Sequence, residues 1–256
     1  MADLDRMTRG LVDSWRRHPA VAAAGLATER DGIAVVPTAL PDPTLNPAIA
    51  MSTPGDPTAA IAWVESYRAL HALPGDGFDL ARGVHPDLEA ALTTAGHHEH
   101  VTRPGMVCAV DRLPVDVPLG LEIREVRTPD DLALFQGVQV ATFDFTSQVA
   151  RGFMGEELLH LDGCVLLLGL VDGQPVSTAL GLLADDTVGI FGVATIGEAR
   201  GQGYGSALTA AAARAFPDSD LAWLQSSADG YPVYLGMGFR VVADWVVWSR
   251  AEPEPH

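Results

Sequence analysis

The residues best suited to chemistry in this 256-residue chain sit in one run, Arg200-Gly201-Gln202-Gly203-Tyr204-Gly205-Ser206. An apolar stretch ending Val193-Ala194-Thr195 precedes it and an alanine-rich stretch, Tyr204 to Ala215, follows. The pattern reads as strand, glycine turn, helix. A helix N-terminus presents amides without backbone partners and the positive end of a dipole. Glycines let the chain turn tightly and let a ligand come close to the backbone. Such a turn suits a pyrophosphate, and Arg200 adds a fixed positive charge.

Two common phosphate-binding patterns do not fit. A Walker A loop needs Gly-Lys-Ser/Thr, and this chain has no lysine at all. A dinucleotide fingerprint places Gly-x-Gly-x-x-Gly after the first strand of a parallel βαβ unit. Here the spacing is Arg-x-x-Gly-x-Gly, and the stretches before it read as a meander.

The elements that must position this loop can be parsed from residue 121 onward. Leu121–Val126 alternates as a strand does, and Thr128-Pro129-Asp130-Asp131 opens a helix with Thr128 as N-cap. A second helical stretch runs near Gln148 to His160. Strands follow at Cys164–Val171 and Pro175–Leu183, joined by the hairpin signal Asp172-Gly173, and then at Val188–Ile196. After the glycine loop and its helix come a strand at Ala222–Gln225, a short helix near Pro232–Gly236 and a strand from Phe239 to Trp248. This order mixes antiparallel hairpins with crossover helices, an α/β (α+β) arrangement with a mixed, mostly antiparallel sheet flanked by helices.

With those residues in view, the chain resembles the GCN5-related N-acetyltransferase (GNAT) superfamily from 121 to about 250. Arg200, Gly203 and Gly205 match its acyl-CoA motif Arg/Gln-x-x-Gly-x-Gly/Ala, and Tyr234, Gly238 and Phe239 match its second signature. Ser227 and Gly230 depart from the Asn and Ala that many relatives carry, and Gly197 from their Pro. The resemblance implies the GNAT fold and acetyl-CoA as co-substrate, with no metal. It implies that the Val193, Ala194 and Thr195 backbone pairs with the pantetheine arm. It places the pyrophosphate on Gly201, Gln202, Gly203, Tyr204, Gly205 and Ser206, with Arg200 and Ser227 nearby.

By the same resemblance, a neutral amine would attack the thioester, an amide of the Val193–Thr195 strand would hold the oxygen, and Tyr234, at the position of the family's general acid, would protonate the leaving thiolate. The base stays open among Glu122, Asp144, Glu156, Glu157, Glu198 and a water chain. The expected activity is transfer of acetyl from acetyl-CoA to a primary amine of a small molecule. A non-catalytic acyl-CoA-binding sensor or interaction module is the alternative.

Composition bounds the partners. The net charge is −17 and every basic residue is an arginine. Such a chain repels nucleic acid and anionic lipid and favours a cationic acceptor. Residues 116–256 carry −12 of this charge and residues 1–115 only −5. No apolar run nears the roughly 18 residues of a membrane span. The acidic start, Met1-Ala2-Asp3-Leu4-Asp5-Arg6, has no apolar core, so a cytoplasmic monomer or homodimer is expected. Cys108 and Cys164 read as buried thiols.

The segment Arg112–Gly120, with Pro114 and Pro118, reads as a linker between residues 1–115 and a GNAT domain at 119–250. The first half has no Arg-x-x-Gly-x-Gly, so no CoA site is expected there. Its run Leu88–Gly96 and the strand ending Met106–Val110 echo the helix, glycine and strand around Gly238. That favours a degenerate GNAT-like half over an unrelated α/β cap. His97, His98 and His100 lack a ligand set, and Asn46 reads as a turn residue.

Overall fold

The computed structural model describes residues 2–143 and 146–251. In chain order the elements are α1 (Ala2–Arg17), α2 (Pro19–Ala24), β1 (Thr28–Arg30), β2 (Ile33–Val35), β3 (Ala48–Ala50), α3 (Pro57–Leu70), β4 (Phe78–Ala81), α4 (Pro86–Thr94) and β5 (His98–Ala109). Then come β6 (Leu121–Glu125), α5 (Pro129–Thr142), α6 (Ser147–Phe153), β7 (Cys164–Val171), β8 (Gln174–Ala184), β9 (Thr187–Thr195), α7 (Tyr204–Arg214), β10 (Leu221–Gln225), α8 (Tyr231–Gly236) and β11 (Arg240–Ser249).

The chain folds into two units. One holds Met1–Ser14 and Met106–Arg240, the other Trp15–Gly105 and Val241–His256. This differs from a linear cut between 115 and 119, because the chain passes between the units three times. Two local causes are visible in the first unit. Arg6 on α1 reaches Asp186 and Asp220 at 3.0 and 2.6 Å, and Arg9 reaches Asp185 at 2.8 Å. The proline-rich segment is held too, since the Arg214 guanidinium donates to the Leu113 and Pro114 carbonyls.

In the first unit β6, β7, β8 and β9 form an antiparallel meander, and β10 joins β9 in parallel. The run Cys164–Val171 is apolar throughout because both its faces are covered. Val165 and Leu167 pack with Ala207, Leu208 and Ala212 of α7. Leu166, Leu168 and Leu170 pack with Leu132 and Phe135 of α5. The alanines of α7 allow close approach: a Cβ on Gly181 would lie 2.8 Å from the Ala212 carbonyl oxygen. The hairpin turn between β7 and β8 has Asp172 at φ 50° and Gly173 at φ 77°, the left-handed pair a two-residue loop requires.

The second unit has the strand order β1-β2-β3-β4-β11, antiparallel except for β3 with β4. Phe78, Leu80, Val246 and Trp248 pack with Ile61, Val64, Leu88 and Leu92 of α3 and α4. Arg68 is buried there and donates to the Asn46 and Gly77 carbonyls at 3.0 and 2.7 Å; burial lowers its pKa to about 10. Asn46 bonds Ala39, Leu40 and Asp42 and holds its own turn. His97 is buried with its ring edge-on to Phe78, and no group of metal-ligating side chains exists among the described residues. Among the described residues neither Cys108 nor Cys164 is in a disulfide. No helix among the described residues is long and apolar enough to cross a membrane.

Gly10 marks where α1 meets the first unit's sheet. A Cβ there would stand 2.5 Å from Thr187 Oγ1 and 2.8 Å from Trp223 Nε1, which are hydrogen-bonded to each other at 3.0 Å. In an exposed helix Gly→Ala stabilises by about 1 kcal/mol. Here the sign reverses: Gly10→Ala overpacks the contact and is expected to destabilise by about 1–3 kcal/mol. Urea unfolding followed by tryptophan fluorescence measures it, and a stabilised variant would contradict the packing described.

Candidate functional site

The glycine turn lies where β9 hands over to α7. Gly201 has φ 77° and Gly203 φ 81°, both in the region that favours glycine. Among the described residues nothing lies within 4 Å of a Cβ added to Gly201, so the turn opens to space on that side. Gly203 is the N-cap of α7, and no side chain caps the helix. The first intrahelical bond runs from Ala207 N–H to the Gly203 carbonyl at 3.0 Å. The Tyr204, Gly205 and Ser206 amides therefore precede any helical partner. Uncapped amides, two left-handed glycines and open space make a donor set that fits a pyrophosphate.

Arg200 is exposed beside this turn. Its Nε donates to the Thr195 carbonyl at 3.3 Å, and one terminal nitrogen stands 3.7 Å from Asp229. An exposed pair of that length contributes little and leaves the charge available.

The strand leading into the turn has two unlike edges. Among the described residues β9 pairs with β10 at Val188 with Ala222 and at Gly189 with Trp223. From Ile190 to Thr195 its pairing is with β8. That register carries a bulge: Thr178 faces Ala194 and Leu180 faces Phe191, so Gly192 and Val193 oppose Ala179 alone. Gly192 takes φ 55° in the bulge. The Ile196 N–H donates to Val176 O on β8 at 3.0 Å. By strand alternation the Val193 and Thr195 amides face the other edge, where β10 has diverged.

Tyr234 sits on α8, buried in the same cluster of side chains as Ile190, Val193 and Leu224. Its ring meets Phe239 edge-on with centroids 5.7 Å apart. The ring fits because position 230 is glycine: a Cβ there would lie 2.8 Å from Tyr234 Cε2. Burial pushes its hydroxyl pKa up to about 12, so it is a neutral donor at ordinary pH. Ser227 lies in the turn before α8, where its Oγ accepts from the N–H of Gly230, the N-cap residue, at 3.1 Å. Gly238, at φ 97°, ends α8, with the Phe239 N–H returning to the Tyr234 carbonyl at 3.0 Å.

Residues 136–239 match the family model described as Acetyltransferase (GNAT) family. The chain carries a GNAT domain. Its fold is that of solved GNAT proteins. A GCN5-related N-acetyltransferase from Kribbella flavida superposes with a TM-score of 0.70 at 22% identity, over 93% of this chain and 95% of that one. A functionally unknown conserved protein from Staphylococcus epidermidis ATCC 12228 gives 0.65 at 17%, over 88% and 93%. A tandem GNAT protein from the clavulanic acid biosynthesis pathway gives 0.58 at 18%, over 88% and 79%. At such identities the likeness is one of fold. No curated protein matches the chain. GNAT proteins are acyl-CoA-dependent N-acetyltransferases, and acyl transfer is the general chemistry of the family.

Within the GNAT domain the residues expected from sequence fall into two groups. Val193, Ala194, Thr195, Arg200 and the run 201–206 are continuous along β9, the turn and the start of α7. Tyr234 and Ser227 come from α8 and the loop before it. The candidate bases are not gathered in this way. Glu122 is exposed and tied to Arg124 at 2.8 Å, and Glu156, Glu157 and Glu198 are exposed in 3-10 turns. Asp144 lies outside the described residues.

Sequence reasoning missed the side chains behind the bulge. Gln139, fully buried on α5, donates from Nε2 to Gly192 O at 2.6 Å and to Thr178 Oγ1 at 2.5 Å. Ser177 Oγ donates to Ala194 O at 2.7 Å and stands 2.9 Å from Thr195 Oγ1. A signal existed: Gln139 continues the buried face of Leu132, Phe135 and Val138, where a polar residue needs a reason.

Proposed function

We propose that this chain is an N-acetyltransferase that moves acetyl from acetyl-CoA to a primary amine of a small molecule by direct attack. The observation that carries the reading is the uncapped Gly201–Ser206 turn continuing from the free edge of β9. In this reading the pyrophosphate rests on the amides of residues 201–206, with Arg200 and Ser227 at its margin. Val193, Ala194 and Thr195 align the pantetheine arm through their backbone. Acetyl-CoA supplies the activated acyl group as a thioester; the protein supplies position and protons.

The Val193 amide is the donor for the carbonyl oxygen under attack. Tyr234 is the acid that gives its proton to the departing sulfur, and a hydroxyl held neutral by burial suits that role. The acceptor must lose a proton, since alkylammonium groups have pKa values near 10. The site belongs to the 119–250 segment, and the first 115 residues carry none. The net charge of −17 favours a cationic acceptor, such as a polyamine or an amino-sugar amine.

The test is calorimetric titration with acetyl-CoA, followed by thiol release over a panel of small amines. Acetyl-CoA binding with amine-dependent release is expected. Binding without release from any amine would support an acyl-CoA sensor instead. No binding at all would overturn the whole reading.

A further inference from the structure

We propose that Gln139 and Thr178 are positioning residues that aim the Val193 N–H at the reacting carbonyl by clamping the opposite end of the same peptide. The inference rests on the acetyl-transfer reading above and concerns what holds its donor in place.

The bulge creates the need. In a regular antiparallel ladder a strand carbonyl finds its partner across the pair. Gly192 lies in the bulge and departs from regular strand conformation, with φ 55°. Two side chains take over. Gln139 Nε2 donates to Gly192 O at 2.6 Å, and Thr178 Oγ1 donates to it at 2.9 Å. The two donors are themselves joined, Gln139 Nε2 to Thr178 Oγ1 at 2.5 Å. They come from different elements, α5 and β8, so the carbonyl is fixed from two directions.

A trans peptide is planar, with its C=O and N–H on opposite sides. Holding Gly192 O toward α5 and β8 therefore turns the Val193 N–H the other way, toward the edge of β9 that β10 has left. The next outward amide is set alike: Ser177 holds Ala194 O, which turns the Thr195 N–H to the same edge. The chemistry of Gln139 points to this use. Both its interactions are as a donor, while its buried Oε1 has no partner among the described residues. Polar atoms are seldom buried so, and here the donors are what the peptide takes. Glycine at 192 also leaves the amide room: a Cβ there would stand 3.2 Å from Gln139 Nε2.

Gln139→Met keeps the side chain's bulk and removes both donors; Thr178→Val keeps shape and removes the hydroxyl. Each is expected to lower kcat about 10- to 100-fold, with acetyl-CoA affinity changed less than about 3-fold. Thr178→Ser retains the donor and is expected to restore kcat to within about 3-fold of wild type. The infrared band of 13C-labelled acetyl-CoA carbonyl, shifted down in the wild-type complex, should move back up in Gln139→Met.

A merely structural role would lower the melting temperature without moving that band or separating kcat from affinity, and this result overturns the proposal. The two levels fail differently. Wild type that binds no acetyl-CoA sinks the transfer reading and the clamp together. Wild type that turns over while both variants keep kcat sinks the clamp alone. Wild type that binds without turnover leaves the carbonyl band to decide, and an unmoved band again rejects the clamp.

Discussion

Gly203→Asp is expected to weaken acetyl-CoA binding on the order of 100-fold, while Gly203→Asn weakens it only a few-fold. The pair separates backbone strain from charge. Gly203 sits at φ 81°, and Asn and Asp are the non-glycine residues that best tolerate that region. Space is not the obstacle: the nearest atom to an added Cβ is Pro118 Cγ at 3.5 Å, an ordinary contact. Both variants should therefore keep the turn, and both pay a similar modest strain. Only Asp brings a negative charge to the N-terminus of α7, where the pyrophosphate is proposed to lie. At about 5 Å and an effective dielectric of about 20, one such pair repels by about 3 kcal/mol, roughly two decades in affinity. Salt should shrink the gap, since the turn is exposed. Titration at about 0.05 M and about 0.5 M salt reads both effects. Equal affinities for Asp and Asn would move the phosphates away from this turn.

That prediction draws on what the sequence displayed openly. The turn was legible because its chemistry is local: glycines, a strand before, a helix after. The same holds of Thr128, which caps α5 by accepting from the Asp131 N–H at 3.1 Å. Strand β7 runs Cys164–Val171 as its apolar composition required. One stretch expected to be helical near Gln148–His160 divides instead into α6, ending at Phe153, and a 3-10 turn at Glu156–His160. Gly155 stands at the break, and the Gln136 side chain donates to the Met154 carbonyl at 2.7 Å.

What the sequence hid was tertiary. No local signal says that α1 is bound to the turn between β8 and β9 by Arg9, or that β11 passes into the other unit. A bulge is equally hidden, because Gly192 is one glycine among 26 until the register of β8 is known. Gln139 could be suspected from its place on a buried face, but its target lies 53 residues away in the chain. The candidate base stayed illegible for another reason. The described carboxylates weighed for it are exposed, so nothing in their surroundings singles one out.

Tyr234→Phe is expected to lower kcat by about 100-fold or more, with acetyl-CoA affinity within about 2-fold of wild type. The substitution removes one oxygen and keeps the ring that packs on Phe239 and lies against Gly230. Among the described residues nothing in the protein is hydrogen-bonded to that hydroxyl, so its loss should leave the fold intact. Burial alone raises the hydroxyl's pKa, to about 12. The proton is then present throughout the assay range of roughly pH 6–9, and the acid never titrates there. The consequence is specific. Activity rising with pH would report deprotonation of the amine or its base, and Tyr234→Phe should keep the shape of that profile while lowering its height. A variant that instead lost a falling limb near neutral pH would mean the hydroxyl ionises in the working complex. The buried, neutral acid would then be the wrong description. A kcat unchanged within about 2-fold would remove Tyr234 from the proton path altogether and leave water to reach the sulfur.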